Sequence, residues 1–216
     1  MDATIVEQET LDELADALGL KEKIAEITAA TMRGELDFES SVKKRVAMLK
    51  QLPLIELDKT FTHITYTKGA RTLIKTLNAH NIPCTLVSGG FTYFTEKVAK
   101  ELGFSHHYGN ILGIKEARLS GEVIPPVRGK EFKAALLRAQ ADSMGIPLSD
   151  TLCAGDGAND ADMLTLCQNN GGLGVGFFPK PLLKEKLHNY IVYANLTSLL
   201  YAMGYKKDEI IFHGEN

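Results

Sequence analysis

A three-residue apolar run, stopped by glycine and followed at once by clustered Asx residues, constrains this 216-residue chain most. The stretch reads Thr151-Leu-Cys-Ala-Gly-Asp-Gly-Ala-Asn-Asp160. Leu152 to Ala154 read as a short buried strand, Gly155 breaks it, and Met163 and Leu164 continue the turn into a helix. Asp156, Asn159 and Asp160 thus gather at the carboxyl end of a buried strand, where ligands of open α/β sheets collect. Crowded carboxylates repel one another and are costly to desolvate. A divalent cation removes both penalties, and Mg2+ suits sparse carboxylate ligation completed by water. Gly157 leaves room for backbone to approach a small anion. The same residues also serve as helix N-caps, so the loop by itself leaves both readings open.

The remaining pattern divides in two. From Glu9 to about Leu57 it is helical throughout. Leu11, Leu14, Ala15 and Leu18 recur at helix spacing before Gly19, and Ile24, Ile27 and Thr28 belong to a second helix ending near Gly34. Asp37 is placed to cap a third, in which Val42, Val46 and Leu49 face one way, and Pro53 opens a fourth element reaching about Phe61. This helical module is small for a core of its own. After Thr65 strands and helices alternate. Helices are expected over Gly69–His80, Phe91–Leu102, Lys130–Met144, Lys184–Leu187 and Thr197–Met203. Strands are expected over Pro83–Val87, His107–Ile114, Arg118–Val123, Leu152–Ala154, Gly172–Phe177 and Tyr190–Ala194. Ser88-Gly89-Gly90 is expected to end the first of these strands. Such alternation implies a parallel α/β sheet, with Ser88 and Asp156 both at strand ends.

Composition narrows the function classes. With 44% apolar residues a sizeable core is available, and a net charge of −3 gives no electrostatic footprint for nucleic acid. No apolar run approaches the ~18 residues that span a bilayer. The first residues are acidic, unlike a signal peptide. Cys84, Cys153 and Cys167 form no disulfide or metal spacing, and buried thiols suit a reducing, cytoplasmic location.

Ser88-Gly-Gly90 offers a hydroxyl and unobstructed N–H groups to an anion, and Lys133 could add a point charge. Together with Gly155-Asp-Gly-Ala-Asn-Asp160 and Asp2-Ala-Thr4, these residues resemble, in order, the motifs of the phosphoserine phosphatases of the haloacid dehalogenase superfamily. The resemblance runs from the first residue to about residue 204. It includes the run Met32 to Phe38, then Ser41, Arg45 and Val46, typical of that group's cap. It implies a Rossmann-like parallel sheet core (residues 1–6 and 66–216) with a small helical cap (residues 7–65) inserted after the first strand.

The implied chemistry is hydrolysis of O-phospho-L-serine through an aspartyl-phosphate, the last step of serine synthesis. By this resemblance Asp2 is the general acid and base, and Asp2, Asp156 and Asp160 serve Mg2+. Ser88, Gly89, Lys133 and Asn159 hold the phosphate, while Glu9 and Arg45 grip the ammonium and carboxylate of serine. The expected partners are this small substrate and a second copy in a homodimer, with no nucleic acid or membrane. The motif's first aspartate, the family's nucleophile, would stand immediately before Met1, with an apolar strand leading into it. The sequence therefore reads as one whose protein begins upstream of Met1. Another small phosphomonoester as substrate, or a silent relative that binds a phosphorylated metabolite, are the alternatives.

Overall fold

The computed structural model describes residues 1–16, 18–32 and 35–214. Arg33 and Gly34, where the second helix was expected to stop, lie outside the described residues.

Four helices come first: α1 (Thr10–Asp16), α2 (Lys21–Met32), α3 (Phe38–Ala47) and α4 (Ile55–Thr62). Asp37 caps α3 as the pattern predicts, its carboxylate accepting the Ser40 N–H at 2.9 Å. Next follow α5 (Ala70–Ala79), β1 (Thr85–Phe91), α6 (Thr92–Leu102) and the antiparallel pair β2 (His106–Lys115) and β3 (Arg118–Ile124). The chain continues through α7 (Lys130–Met144), β4 (Leu152–Gly155), α8 (Ala161–Asn169) and β5 (Leu173–Phe177). It closes with α9 (Pro181–Lys184), β6 (Asn189–Ile191) and α10 (Ser198–Ala202).

The architecture is α/β with parallel pairing, as expected, although the described strands form two sheets rather than one. β1, β2 and β3 make the first, with β1 and β2 parallel; β4, β5 and β6 make the second, wholly parallel. β1 and β4 each end their sheet, and the amino-terminal turns lie against the carboxyl ends of both. The carbonyl of Met1 accepts N–H groups from Thr4, Ile5 and Val6, so this segment coils instead of extending.

Most boundaries move by a residue or two, and β1, α9 and β6 depart further from the sequence pattern. β1 runs through Ser88-Gly-Gly90 to Phe91, because Phe91 regains pairing opposite Asn110 after a register shift. α9 begins at Pro181, whose fixed φ suits a first helical turn, rather than at Lys184. β6 stops at Ile191, and Tyr193, expected within it, is 99% exposed.

One apolar cluster runs through both halves of the chain. Leu11, Leu14, Ile24, Val46 and Leu49 of the helical segment join Leu73, Leu86, Phe91 and Leu199 beyond it. The helices are thereby seated firmly over the strand ends, with α3 packed on β3.

Candidate active site

Gly155 lets β4 turn directly onto its own loop. A Cβ there would come within 2.5 Å of the Asp160 carboxylate, so only a hydrogen fits. Asp160 is buried, and both its oxygens are engaged. One accepts the Lys133 ammonium at 2.6 Å; the other accepts the Asp156 and Gly157 N–H groups at 3.1 and 3.2 Å. Burial alone would raise this carboxyl, but the Lys133 charge, with these hydrogen bonds, opposes it, and the carboxyl is held below the usual range. Asp160 therefore fixes the loop that carries Asp156.

Asp156 is itself buried and receives the Thr4 hydroxyl at 3.2 Å. Ala3, between Asp2 and Thr4, has φ +50°, a left-handed conformation that costs a non-glycine residue about 1–2 kcal/mol. That kink lets Asp2 and Thr4 reach different sides of the site. Asp2 accepts the Thr10 N–H at 2.9 Å and the Ser88 hydroxyl at 2.8 Å, while Ser88 in turn accepts the Gly90 N–H at 2.8 Å. A Cβ on Gly90 would lie 3.1 Å from both Asp2 and Ser88, so a hydrogen there keeps the relay uncrowded.

Gly89 is held from behind. Buried Asn110 donates to its carbonyl at 2.8 Å and accepts the Arg128 N–H at 2.6 Å. The Asn159 amide lies on the other side, 3.7 Å from where a Gly89 Cβ would stand. Above Gly89 sits the ring of Phe38, the first residue of α3. Cβ atoms built on Gly89 and Gly129 would approach that ring to 3.1 and 3.2 Å. α3 thus covers the Gly89 stretch of β1.

Two opposite charges mark the rim. Glu9 keeps half its side-chain surface open. Burial of the rest raises its carboxyl, Asp2 and Asp156 add repulsion, and Lys180 opposes them. Arg45 is half-buried, and burial lowers its guanidinium, offset by Asp12 and Glu9. Lys180 lies 3.5 Å from Glu9 and 3.4 Å from Asp156. Burial would lower its ammonium, but these two carboxylates outweigh that and raise it. Open grooves of about 360 Å³, beside Tyr201 and Phe212, and about 320 Å³, beside Arg71 and His213, share no residue with this site.

The haloacid dehalogenase-like hydrolase family model matches residues 1–165 of the chain. The chain belongs to the haloacid dehalogenase-like hydrolases. A phosphoserine phosphatase of Streptomyces coelicolor is 41% identical over 210 residues, 97% of this chain and 50% of that protein. This chain thus spans half the length of that relative. A phosphoserine phosphatase of Lactococcus lactis is 38% identical over 93% of this chain and 91% of its own length. Among solved structures, a substrate-bound phosphoserine phosphatase complex superposes with a TM-score of 0.85 at 38% identity, covering 94% of each chain.

Within this hydrolase fold, Asp2, Ser88, Gly89, Asn159 and Asp156 surround one region, with Lys133 reaching it through Asp160 and Glu9 and Arg45 at its edge. Among the described residues no three His, Cys, Asp or Glu converge on one cation position. Asp160, paired as described, does not turn toward the Asp156 carboxylate face. The Asp2 and Asp156 carboxylates are hard-oxygen donors of the kind that suits Mg2+. Asn110, Phe38 and Lys180 were not candidates from sequence. Asn110 sits unmarked in a strand, and Phe38 reads as an ordinary apolar helix residue. Lys180 carries one signal, its place between Pro179 and Pro181. No helix among the described residues is long and apolar enough to cross a membrane.

Proposed function

We propose that this chain serves a cytoplasmic, Mg2+-dependent phosphatase that hydrolyses O-phospho-L-serine to L-serine and phosphate, the last step of serine synthesis. The observation that carries this reading is the placing of Glu9 and Arg45, one charge of each sign, at the edge of the site and within electrostatic range of each other. A zwitterionic amino-acid end needs one charge of each sign, and an Arg fork matches a carboxylate bidentately. Residues 7–65 act as the cap that brings these charges over the phosphate.

Each residue then has a task. Ser88, the Gly89 N–H and Lys133 hold the equatorial phosphoryl oxygens, because phosphoryl transfer is chiefly positioning and charge stabilisation. Asn110 keeps Gly89 in register, and Asn159 flanks the same oxygens. Asp2, already hydrogen-bonded to Ser88, protonates the departing serine oxygen and later takes a proton from the attacking water. Phe38 excludes bulk water above Gly89. Asp156, with Asp2 beside it, would hold Mg2+, which when bound neutralises charge on the phosphoryl oxygens. The nucleophile this reading requires is the aspartate that the motif sets immediately before Met1, outside the 216 residues.

The test compares kcat/KM for phosphoserine and p-nitrophenyl phosphate in a form extended upstream to include that aspartate, with the 216-residue chain as the blank. Arg45→Ala should lower kcat/KM for phosphoserine by roughly one to two orders of magnitude, about 1.5–3 kcal/mol for one charge-assisted contact. The aryl phosphate, lacking the carboxylate, should hardly change. Equal losses on both substrates would remove the case for phosphoserine.

A further inference from the structure

An exposed lysine is ordinarily a solvated one, and a single exposed ion pair fixes little. Lys180 departs from that expectation in its backbone. It stands between Pro179 and Pro181, so the following proline confines it to extended φ and ψ, observed at −61° and 152°. Its own N–H donates to the Asp156 carbonyl at 2.8 Å. Pro179 packs against Gly176, where a Cβ would come within 2.9 Å of the proline ring. The backbone that carries this side chain is thus a stiff frame. It meets two carboxylates from opposite parts of the fold: Asp156 after β4 and Glu9 at the start of the helical segment, at 3.4 and 3.5 Å. It also lies 4.0 Å from where a Gly157 Cβ would stand, at the mouth of the acidic loop.

We propose that Lys180 is a positioning residue of this site, whose ammonium sets the place of the Glu9 carboxylate and competes with the divalent cation for Asp156. The Glu9 half rests on the phosphoserine reading above; the Asp156 half does not. Two anions that repel each other across the mouth are held at a fixed spacing by one shared cation. Binding of Mg2+ at Asp156 must displace or oppose this charge, so the site loads more weakly than its carboxylates alone would dictate. In return Glu9 is already aimed when the amino-acid end of a substrate arrives, as preorganisation requires.

The cation half is tested by titrating Mg2+ calorimetrically into the 216-residue chain and into Lys180→Met, Lys180→Arg and Lys184→Met. Lys184, whose ammonium sits over the Tyr190 ring at 4.7 Å, controls for a change in total charge. Lys180→Met should bind Mg2+ roughly two- to fivefold more tightly, the range of a partly exposed ion pair, while the other two match the unaltered chain. Equal or weaker binding by Lys180→Met, or equal tightening by Lys184→Met, overturns the proposal. The Glu9 half is read in the upstream-extended form at saturating Mg2+. Lys180→Met should raise KM for phosphoserine by roughly the same factor with kcat held, leave p-nitrophenyl phosphate unmoved, and be rescued by arginine. Equal loss on both substrates overturns it. If the unaltered extended form fails on phosphoserine, the substrate reading falls alone, because the Mg2+ titration needs no substrate.

Discussion

Lys133 and Asp160 meet at 2.6 Å with 4% and 8% of their side-chain surfaces exposed. A pair so far from water is worth little against an apolar substitute, but removing one partner strands a buried charge. Lys133→Met should therefore destabilise the protein by about 3–5 kcal/mol, and the double variant Lys133→Met with Asp160→Asn should recover part of it. Urea unfolding at neutral pH measures both; a single variant as stable as the parent would contradict the pairing. Cys84 gives a second prediction. Burial pushes its thiol up to about 11 from the ordinary 9.0. As pH rises past the ordinary value, the unfolded chain loses this proton first, so the folded state is progressively disfavoured until the thiol ionises in both. The loss reaches at most ~3 kcal/mol, and it should be absent in Cys84→Ala when unfolding is compared at pH values on either side of that window. The sequence disclosed the residues that sit in short dense motifs, such as Ser88, Asp156 and Asp160. It hid Asn110 and Lys180, whose contacts join segments at least 18 and 24 residues apart.

At the scale of elements, local signals were legible wherever local physics decides. Asp37 four residues before Ser41 caps α3, and the apolar spacing of α5 and α6 gave both within two residues. β1 was misjudged because Ser88-Gly-Gly90 reads as a stop, whereas the strand's continuation depends on Asn110 in β2, which no local pattern reveals. The separation into two sheets likewise lies in pairing rather than in any one segment. The contact that seats the helices is α3 on β3. Leu119, 1% exposed in β3, sits in the cluster with Val46 and Leu49. Leu119→Ala should cost about 2–5 kcal/mol, as buried leucine truncations do. It should also raise hydrogen exchange in α3 more than in α8, which packs in a separate apolar cluster around Cys153 and Leu183.

The whole molecule should unfold as one unit. Its main apolar cluster draws on α1, α2 and α3 as well as on β1, α6 and α10, so the helical segment has no core to keep once the strands separate. Scanning calorimetry should give one transition with calorimetric and van't Hoff enthalpies equal; a separate early transition assigned to residues 7–65 would show that the segment stands alone. The ring of Phe38 has a further consequence. Close to the backbones at Gly89 and Gly129, it would stand over the proposed phosphate site as a doorway made of a single side chain at a helix start. Traffic across that doorway is timed by ring and helix motions, nanoseconds for a rotamer and microseconds to milliseconds for a helix. Residence of a bound anion is thereby separated from the strength of its contacts, so two ions held equally well but differing in size would leave at different rates.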